Sequence, residues 1–283
     1  MSFIEAVILG LVQGLTEFLP VSSSGHLAIF QELLGTDGGS SDIFFTSLLH
    51  LGTLFAVCFV YRKTLAELFG TLFGSIGPLF KGEIKWEKGL PTENMTRRKG
   101  ILIIYALLPM FLILPVKNFV ESIYSSTLVV GIALMVTSFF LFLCDRFASG
   151  KKTEEKMTVK DSLVIGFVQL FAVLPGISRS GSTITAGLAC GLDRNFAAEF
   201  SFIMSVPTIL ASVVFQVIEM IADGTGVSTE LIPVYLVGMI TAAISGFCAI
   251  KLLQMLLRSK KFFVFSIYCL IAGIFAIVLN FVK

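Results

Sequence analysis

Pro20-Val21-Ser22-Ser23-Ser24-Gly25 is a polar turn in the middle of an otherwise apolar segment, residues 3–34. A second apolar segment, residues 162–192, is interrupted in the same way by Pro175-Gly176-Ile177-Ser178-Arg179-Ser180-Gly181. Each arm beside a turn has about 10–15 residues, too few to cross a bilayer at ~1.5 Å per residue. The pattern predicts two re-entrant helix–turn–helix hairpins, whose irregular tips must be surrounded by protein or by a water-filled cavity.

Composition places the whole chain among membrane proteins. Of its 283 residues, 55% are hydrophobic and 14% are charged, whereas a soluble domain has about 25% charged residues. The net charge of +2 is too small to indicate a nucleic-acid partner. Six further stretches lack Lys, Arg, Asp and Glu and approach the length of a membrane span: residues 43–61, 101–116, 125–144, 200–218, 231–250 and 262–282. We therefore predict an all-α polytopic membrane protein, a single transmembrane domain over residues 1–283 with six full transmembrane helices and two re-entrant hairpins.

Basic residues alternate with the predicted spans and predict the orientation of the chain. Eight Lys and Arg lie in residues 62–99, five in 146–160 and four in 251–261, whereas residues 36–42, 118–124 and 223–230 contain none. Cytoplasmic loops carry such an excess of basic residues. The prediction puts both termini outside, with the first hairpin entering from outside and the second from the cytoplasm.

The two hairpins resemble each other in sequence. Residues 8–13, Ile-Leu-Gly-Leu-Val-Gln, align with residues 164–169, Val-Ile-Gly-Phe-Val-Gln, and the glycines of the two serine turns are 156 positions apart. Three predicted spans follow each hairpin, and because three is odd, the second copy is inserted upside down. The sequence thus predicts an inverted-topology repeat, with copies at residues 3–146 and 160–283. Such repeats place their sites at the repeat interface near mid-membrane.

Each turn precedes a helix whose N-terminus is predicted to point into the site. Unpaired backbone N–H groups and the positive end of the helix dipole gather there. Serine caps such ends, and glycine lets backbone approach a ligand. Two facing N-termini would bind phosphate; otherwise they are capped ends that only fill space. The predicted binding residues are Ser22, Ser23, Ser24, Gly25, Ser178, Ser180 and Gly181.

Three further polar residues in the hairpins indicate chemistry on an anion. Arg179 is the only Lys or Arg inside an apolar segment, and such a cation needs an anionic partner. Its guanidinium would bind phosphate bidentately or form an internal ion pair with Glu17. Gln13 and Glu17 are four residues apart on one helix face. Their oxygens suit Mg²⁺ or Ca²⁺, or they position a water.

Two histidines occur in the chain. His26 follows the first serine turn, and we expect it to act as a general acid, a general base or a phosphoryl acceptor. His50 lies in the middle of a predicted span, where we expect it to pack or to support the site. The constellation of carboxylate, serines, histidine and arginine predicts hydrolysis or transfer of a phosphate carried by a lipid.

Residues 13–26, Gln-Gly-Leu-Thr-Glu-Phe-Leu-Pro-Val-Ser-Ser-Ser-Gly-His, resemble the first signature of the bacterial undecaprenyl-diphosphate phosphatase family, the bacitracin-resistance proteins. Residues 175–183, Pro-Gly-Ile-Ser-Arg-Ser-Gly-Ser-Thr, resemble the second signature. Both motifs are long, and the resemblance extends over essentially the whole chain. One departure is Gln13, where many family members have Glu.

The resemblance implies removal of the terminal phosphate from undecaprenyl diphosphate, which recycles the carrier lipid of peptidoglycan synthesis in a bacterial plasma membrane. It also implies dependence on Mg²⁺ or Ca²⁺. The family's functional positions correspond to Gln13, Glu17, Ser23, His26, Arg179 and Thr183. The nucleophile stays open between Ser23, His26 and water, and a homodimer is one arrangement that the sequence leaves open. The competing hypothesis, suggested by the repeat, is a transporter or flippase of an anionic lipid or small anion.

Overall fold

A computed structural model describes residues 1–35, 40–116, 126–146, 150–222, 229–259 and 262–282, and within these ranges the chain is almost entirely helical. The α-helices are α1 (Phe3–Phe18), α2 (Ser23–Leu34), α3 (Ser40–Val60), α4 (Arg62–Gly74), α5 (Ile76–Phe80), α6 (Met95–Leu107), α7 (Thr127–Cys144), α8 (Val159–Phe171), α9 (Arg179–Ala189), α10 (Arg194–Ala222), α11 (Ile232–Ser259) and α12 (Phe262–Val282). Two 3₁₀ segments, Leu108–Val116 and Thr229–Leu231, precede α7 and α11.

Five helical segments of the described chain are long and apolar enough to cross a membrane. They are Met95–Pro115, Thr127–Cys144, Arg194–Ala222, Ile232–Leu257 and Phe262–Val282. The number rises to six if Phe44–Val60 is counted together with Arg62–Phe80, although the two are bent by 86° relative to each other. The protein is therefore a multi-pass helical membrane protein. Of the six predicted full spans, residues 43–61 qualify only as part of this bent pair.

One predicted span is not a continuous α-helix. Residues 101–116 are α-helical as far as Leu107 and continue as the 3₁₀ segment Leu108–Val116. Pro109 and Pro115 explain the change, because proline lacks the N–H that an α-helix needs and its ring crowds the preceding turn. The predicted loop at 118–124 and most of the loops at 36–42 and 223–230 lie outside the described residues.

Both predicted helix breaks occur, and capping explains where the four short helices begin. Ser2 and Thr158 each start a hairpin's first arm with a capping box, completed by Glu5 in α1 and Asp161 in α8. The second arms, α2 and α9, begin directly after serines at their N-caps. These side chains accept hydrogen bonds from backbone N–H groups that have no partner within their own helices. The hairpin turns are therefore encoded by the local sequence.

A small β-hairpin lies in the connection between α5 and α6. Strand β1 (Trp86–Glu87) pairs antiparallel with β2 (Leu90–Pro91). Lys88 and Gly89 between the strands have φ values of 50° and 80°. Two successive positive φ values give the tight turn that suits the twist of a two-residue hairpin. The all-α prediction missed this element.

The first arm of hairpin one packs very closely against α11. A Cβ on Gly10 would lie 2.5 Å from the carbonyl oxygen of Gly238, and one on Gly14 would lie 2.0 Å from Ser245 Oγ. Small residues four apart let helix backbones approach in this way inside membranes. Glycine at position 14 therefore fixes the position of α1, and with it the side chains of Gln13 and Glu17.

Replacing Gly14 with alanine should force α1 and α11 apart and destabilise the protein. Overpacking of this kind typically costs about 1–3 kcal/mol. We expect a lower midpoint of thermal unfolding in detergent and a loss of activity through displacement of Glu17. The matched control is Gly70→Ala in α4, where a Cβ meets nothing within 4 Å and alanine improves helix propensity. Equal midpoints for the two variants would contradict this packing argument.

Candidate active site

The tips of the two hairpins are in contact, although 156 positions separate their glycines in the sequence. Ser180 Oγ donates a hydrogen bond to the carbonyl oxygen of Leu19, at 3.2 Å. A Cβ on Gly25 would lie 3.0 Å from Gly176 Cα, so the two backbones nearly touch at this point. The structure therefore brings the N-termini of α2 and α9 together.

A continuous chain of hydrogen bonds connects the two tips through Glu17. Arg179 Nη2 donates to Glu17 Oε1 at 2.7 Å, and Ser23 Oγ donates to Glu17 Oε2 at 2.6 Å. The Arg179–Glu17 pair is largely buried, with 14% and 7% of the two side chains exposed. Such charge-assisted bonds are short and strong. The internal ion pair that the sequence offered as an alternative is thus present, with a serine hydroxyl on its other side.

The first serine turn is held in an unusual backbone conformation. Ser22 is the N-cap of α2 and has φ of 71°, which is uncommon for a residue other than glycine. Its Oγ accepts the N–H of Gly25 and shares a hydrogen bond with Ser24 Oγ, both at 3.3 Å. Strain of this kind persists only where surrounding contacts fix it, and it clusters at functional sites.

The second serine turn repeats these contacts. Ser178 is the N-cap of α9, and its Oγ accepts the N–H of Gly181 at 3.1 Å and lies 3.3 Å from Ser180 Oγ. Thr137 of α7 supports the turn, because its Oγ1 donates to Gly176 O and accepts the N–H of Ser178. Sequence reasoning missed Thr137, since nothing in a uniformly apolar span distinguishes it from a packing residue.

Thr183 is buried in α9, one helix turn after Arg179. Its Oγ1 donates to Arg179 O at 2.8 Å and shares a 2.6 Å hydrogen bond with Ser201 Oγ. The carbonyl of Ser201 also lies 3.5 Å from Arg179 Nη1. Thr183 therefore anchors the helix turn that carries the guanidinium, and its predicted contact with substrate stays a prediction. Ser201 had no sequence signal.

His26 is buried and both of its ring nitrogens have partners. Nδ1–H donates to the carbonyl of Ser22 at 2.7 Å, and Nε2 lies 2.8 Å from the hydroxyl of Tyr268. The two rings also stack, with centroids 5.4 Å apart. The imidazole therefore helps to hold Ser22 in its strained backbone conformation. Its predicted catalytic role stays a prediction, and Tyr268 of α12 is a partner that the sequence did not reveal.

His50, which the sequence ranked below His26, faces Glu17. His50 Nδ1–H donates to Thr46 O at 2.8 Å, and Nε2 lies 3.9 Å from Glu17 Oε2. Gln13 Nε2 donates to the same carboxylate oxygen at 3.1 Å. Gln13 is fully buried, and its Oε1 accepts no hydrogen bond. His50, which was expected to pack or to support the site, is thus the histidine beside the carboxylate.

The donor set can be tested against a divalent cation. Among the described residues, no three His, Cys, Asp or Glu side chains form a metal-binding group. Mg²⁺, however, is commonly held by one or two protein carboxylates together with substrate phosphates. Glu17 Oε2 and the unpartnered Gln13 Oε1 are oxygen donors of the right kind. The site therefore fits a cation that takes most of its ligands from a bound diphosphate.

Comparison with known proteins gives one consistent result. The family model described as bacitracin resistance protein BacA matches residues 6–275. A protein from Alkaliphilus metalliredigens, named undecaprenyl-diphosphatase, is 40% identical over 96% of this chain and 97% of its own length. A protein of the same name from Desulforapulum autotrophicum is 39% identical over the full length of both chains.

The same name is carried by a protein from Methanosphaera stadtmanae, 36% identical over 99% of both chains. This relative is archaeal, so the bacterial origin of the present chain stays a prediction. Because the family model covers nearly all of the sequence and the relatives match it from end to end, this chain belongs to the bacitracin resistance protein BacA family.

Proposed function

We propose that this protein is an undecaprenyl-diphosphatase that uses the contact between the two hairpin tips as its active site. The relatives supply the activity and the lipid diphosphate substrate. The observation that carries the proposal is the hydrogen-bonded chain Arg179–Glu17–Ser23. It puts a cation for phosphate, a carboxylate and a hydroxyl within reach of one another.

The guanidinium and the helix ends form the binding half of the site. Arg179 presents a planar fork that matches phosphate oxygens, and it begins α9, where the helix dipole is positive. The N-cap serines accept the N–H groups of Gly25 and Gly181, and the earlier N–H groups of α2 and α9 have no preceding carbonyl in their helices to bond. Together they would stabilise negative charge as it develops on the terminal phosphoryl group.

Glu17 and Ser23 form the reactive half. Glu17 Oε2 would take the proton of the Ser23 hydroxyl as Ser23 Oγ forms a bond to the terminal phosphorus. The bond from that phosphorus to the bridging oxygen would break, and undecaprenyl monophosphate would leave. Water would then attack the phosphorus as the bond from phosphorus to Ser23 Oγ breaks. Glu17 would return its proton to Ser23 Oγ, and the proton of the attacking water would leave on the released inorganic phosphate. A divalent cation held by Glu17 and Gln13 would supply Lewis-acid polarisation of the phosphoryl oxygens.

Replacing Ser23 with alanine tests the nucleophile. We expect a phosphoserine at Ser23 in acid-quenched wild-type enzyme by mass spectrometry, and none in Ser23→Ala, whose turnover should fall by about 10² or more. Ser24→Ala is the matched control, because Ser24 bonds Ser22 Oγ and not Glu17; its turnover should fall much less. If phosphoserine is never detected while phosphate is released, water is the nucleophile and Ser23 only orients it.

We also propose the inverted repeat that the sequence predicts, and the packing supports it. Helices α7 and α12 would be equivalent, because each is the last span of its copy. They run antiparallel: Ser138 pairs with Ser266, and Gly131, earlier in α7, lies against Gly273, later in α12. Equivalent helices of two oppositely inserted copies must run in this way.

Contacts at one end of the fold support an outside position for both termini. Asp145 bonds Arg194 and the N–H of Phe263, and Arg98 bonds the carbonyls of residues 154 and 157. The three basic segments therefore gather at one end, which the positive-inside rule makes cytoplasmic. Helix α12 starts at that end and finishes away from it. Helix α1 runs parallel to α11, and α11 ends at the cytoplasmic end. The N-terminus of α1 therefore lies at the opposite end of the fold.

A transporter is the second candidate function, because inverted repeats are typical of transport folds. The buried Arg179–Glu17–Ser23 chain favours hydrolysis, since transport requires no nucleophile beside a carboxylate. Purified protein in detergent with undecaprenyl diphosphate and a divalent cation should release phosphate. Transport of the lipid in liposomes without phosphate release under any divalent cation would replace the enzyme by the transporter.

A further inference from the structure

We propose that His50 is a direct ligand of the divalent cation and that it completes, with Glu17 and Gln13, the protein half of the metal site. The inference rests on the metal-assisted phosphatase proposed above. It assigns a residue that lies on a different element, α3, and outside both sequence motifs. It also predicts which class of cation the protein prefers.

The orientation of the His50 ring supplies the first argument. Nδ1–H is committed to the carbonyl of Thr46 at 2.8 Å, so the neutral ring carries its lone pair on Nε2. Metal-binding histidines typically have this arrangement, in which a carbonyl fixes the tautomer and turns the other nitrogen toward the ion. A quarter of the His50 side chain is exposed, so the imidazole is only partly enclosed by the protein.

The separation between His50 and Glu17 supplies the second argument. Nε2 and Oε2 are 3.9 Å apart, which is too long for a direct hydrogen bond. Two atoms bound to one small cation at ~2.1 Å are about 3.0 Å apart at a right angle and about 4.2 Å apart when opposite. The observed separation falls inside that interval, so one ion can bridge the two side chains with little movement.

Gln13 also offers an oxygen atom that has no hydrogen-bond partner. Gln13 is fully buried, and it leaves Oε1 without a partner while Nε2 donates to Glu17 Oε2. A buried acceptor left unpaired costs about 1–3 kcal/mol. Half a turn about the last side-chain torsion, which is a soft one, would exchange the two amide atoms. Oε1 would then face the same ion as Glu17 and His50.

The resulting ligand set is one carboxylate, one amide oxygen and one imidazole, completed by diphosphate oxygens. Imidazole suits transition metals, whereas Ca²⁺ and Mg²⁺ prefer oxygen ligands throughout. We therefore expect Mn²⁺ or Co²⁺ to bind more tightly than Ca²⁺ and to support turnover. This preference is a property of the chain that follows from His50 and not from the two hairpin motifs.

Pulsed electron paramagnetic resonance of bound Mn²⁺ tests the assignment without depending on activity. Full-length protein in detergent is loaded with Mn²⁺ and a methylene-bridged, non-hydrolysable isoprenyl diphosphate. We expect the spin echo of Mn²⁺ to be modulated by a bound nitrogen. The ¹⁴N modulation frequencies should be replaced by ¹⁵N frequencies when histidine alone is labelled with ¹⁵N. The modulation should vanish in His50→Gln, which keeps an oxygen donor and so retains the ion, and persist in His26→Gln.

Three results would overturn the proposal: no histidine modulation on Mn²⁺ bound to wild-type protein, modulation that survives in His50→Gln, or no Mn²⁺ bound at all. In the first case His50 is an ion-pair partner of Glu17 and not a ligand. Phosphate release is measured in parallel, and the ratio of Mn²⁺- to Ca²⁺-supported turnover should fall about tenfold in His50→Gln. If the wild-type protein releases phosphate but shows no histidine modulation on Mn²⁺, the assignment of His50 as a ligand is wrong and the proposed phosphatase activity still holds.

Discussion

Replacing Arg179 with alanine is expected to lower kcat/KM for diphosphate hydrolysis by at least about a thousandfold. Arginines that neutralise phosphoryl-transfer transition states contribute about 10³–10⁵ to turnover. Arg179 is also the first residue of α9, so the substitution removes a positive charge from the point where two helix N-termini converge. Phosphate release from purified protein measures the effect.

The same substitution should destabilise the fold, because it removes the cation that pairs with the buried carboxylate of Glu17. Removing one partner of a buried ion pair typically costs about 3–5 kcal/mol. Arg194→Ala is the matched control: 7% of the Arg194 side chain is exposed, against 14% for Arg179. Arg194 pairs with Asp145 at 3.4 Å and begins α10, beyond the far end of α9. We expect a comparable loss of thermal stability in that variant with most of its activity retained.

Arg179→Lys separates charge from geometry. Lysine keeps the positive charge but not the planar fork that can hold a carboxylate and a phosphate at once. Activity should recover only in part, and the affinity for the diphosphate should recover more than kcat. Near-full activity of well-folded Arg179→Ala protein would mean that the hairpin tips are not the active site.

The sequence predicts the hairpins well because their signals are local. Proline, serine and glycine inside an apolar segment stop one helix and cap the next, and Ser22 and Ser178 do so at the predicted places. The 3₁₀ segment after Leu107 is encoded equally locally, by two prolines. It was missed because hydrophobic length alone was used to define that span.

The supporting shell of the site could not be predicted because each of its contacts joins distant parts of the chain. Thr137, Ser201 and Tyr268 reach the tips from α7, α10 and α12. Each is a single polar residue in an apolar helix, and sequence gives no sign of which face it occupies. The position of His50 could not be predicted for the same reason: it is distant in sequence from both turns, yet its Nε2 lies 3.9 Å from Glu17 Oε2. His26 is close to the serine turn in sequence and also contacts Ser22 in space.

Glu17→Gln is the second substitution with a large expected effect, and it tests the carboxylate without changing its volume. An amide cannot take the proton of Ser23, so kcat should fall by about 10²–10⁴. The cation dependence should also change, because Glu17 is the one anionic residue in the proposed ligand set of Glu17, Gln13 and His50. Phosphate release measured across Mg²⁺, Mn²⁺ and Ca²⁺ concentrations reports both effects. Unchanged kcat in folded protein would remove Glu17 from the reaction.

Combining Glu17→Gln with Arg179→Ala separates the structural role of the pair from its chemical role. The double variant contains neither buried charge, so its thermal stability should exceed that of Arg179→Ala alone, as the non-additivity of contacting residues requires. Its activity should stay as low as that of either single variant, because restored stability does not restore a base or a phosphate ligand. Strictly additive losses of stability would show that the 2.7 Å contact between the two side chains does not stabilise the protein. Rescue of activity together with stability would show that the pair only holds the hairpins together, and the chemistry would then have to lie elsewhere on the tips.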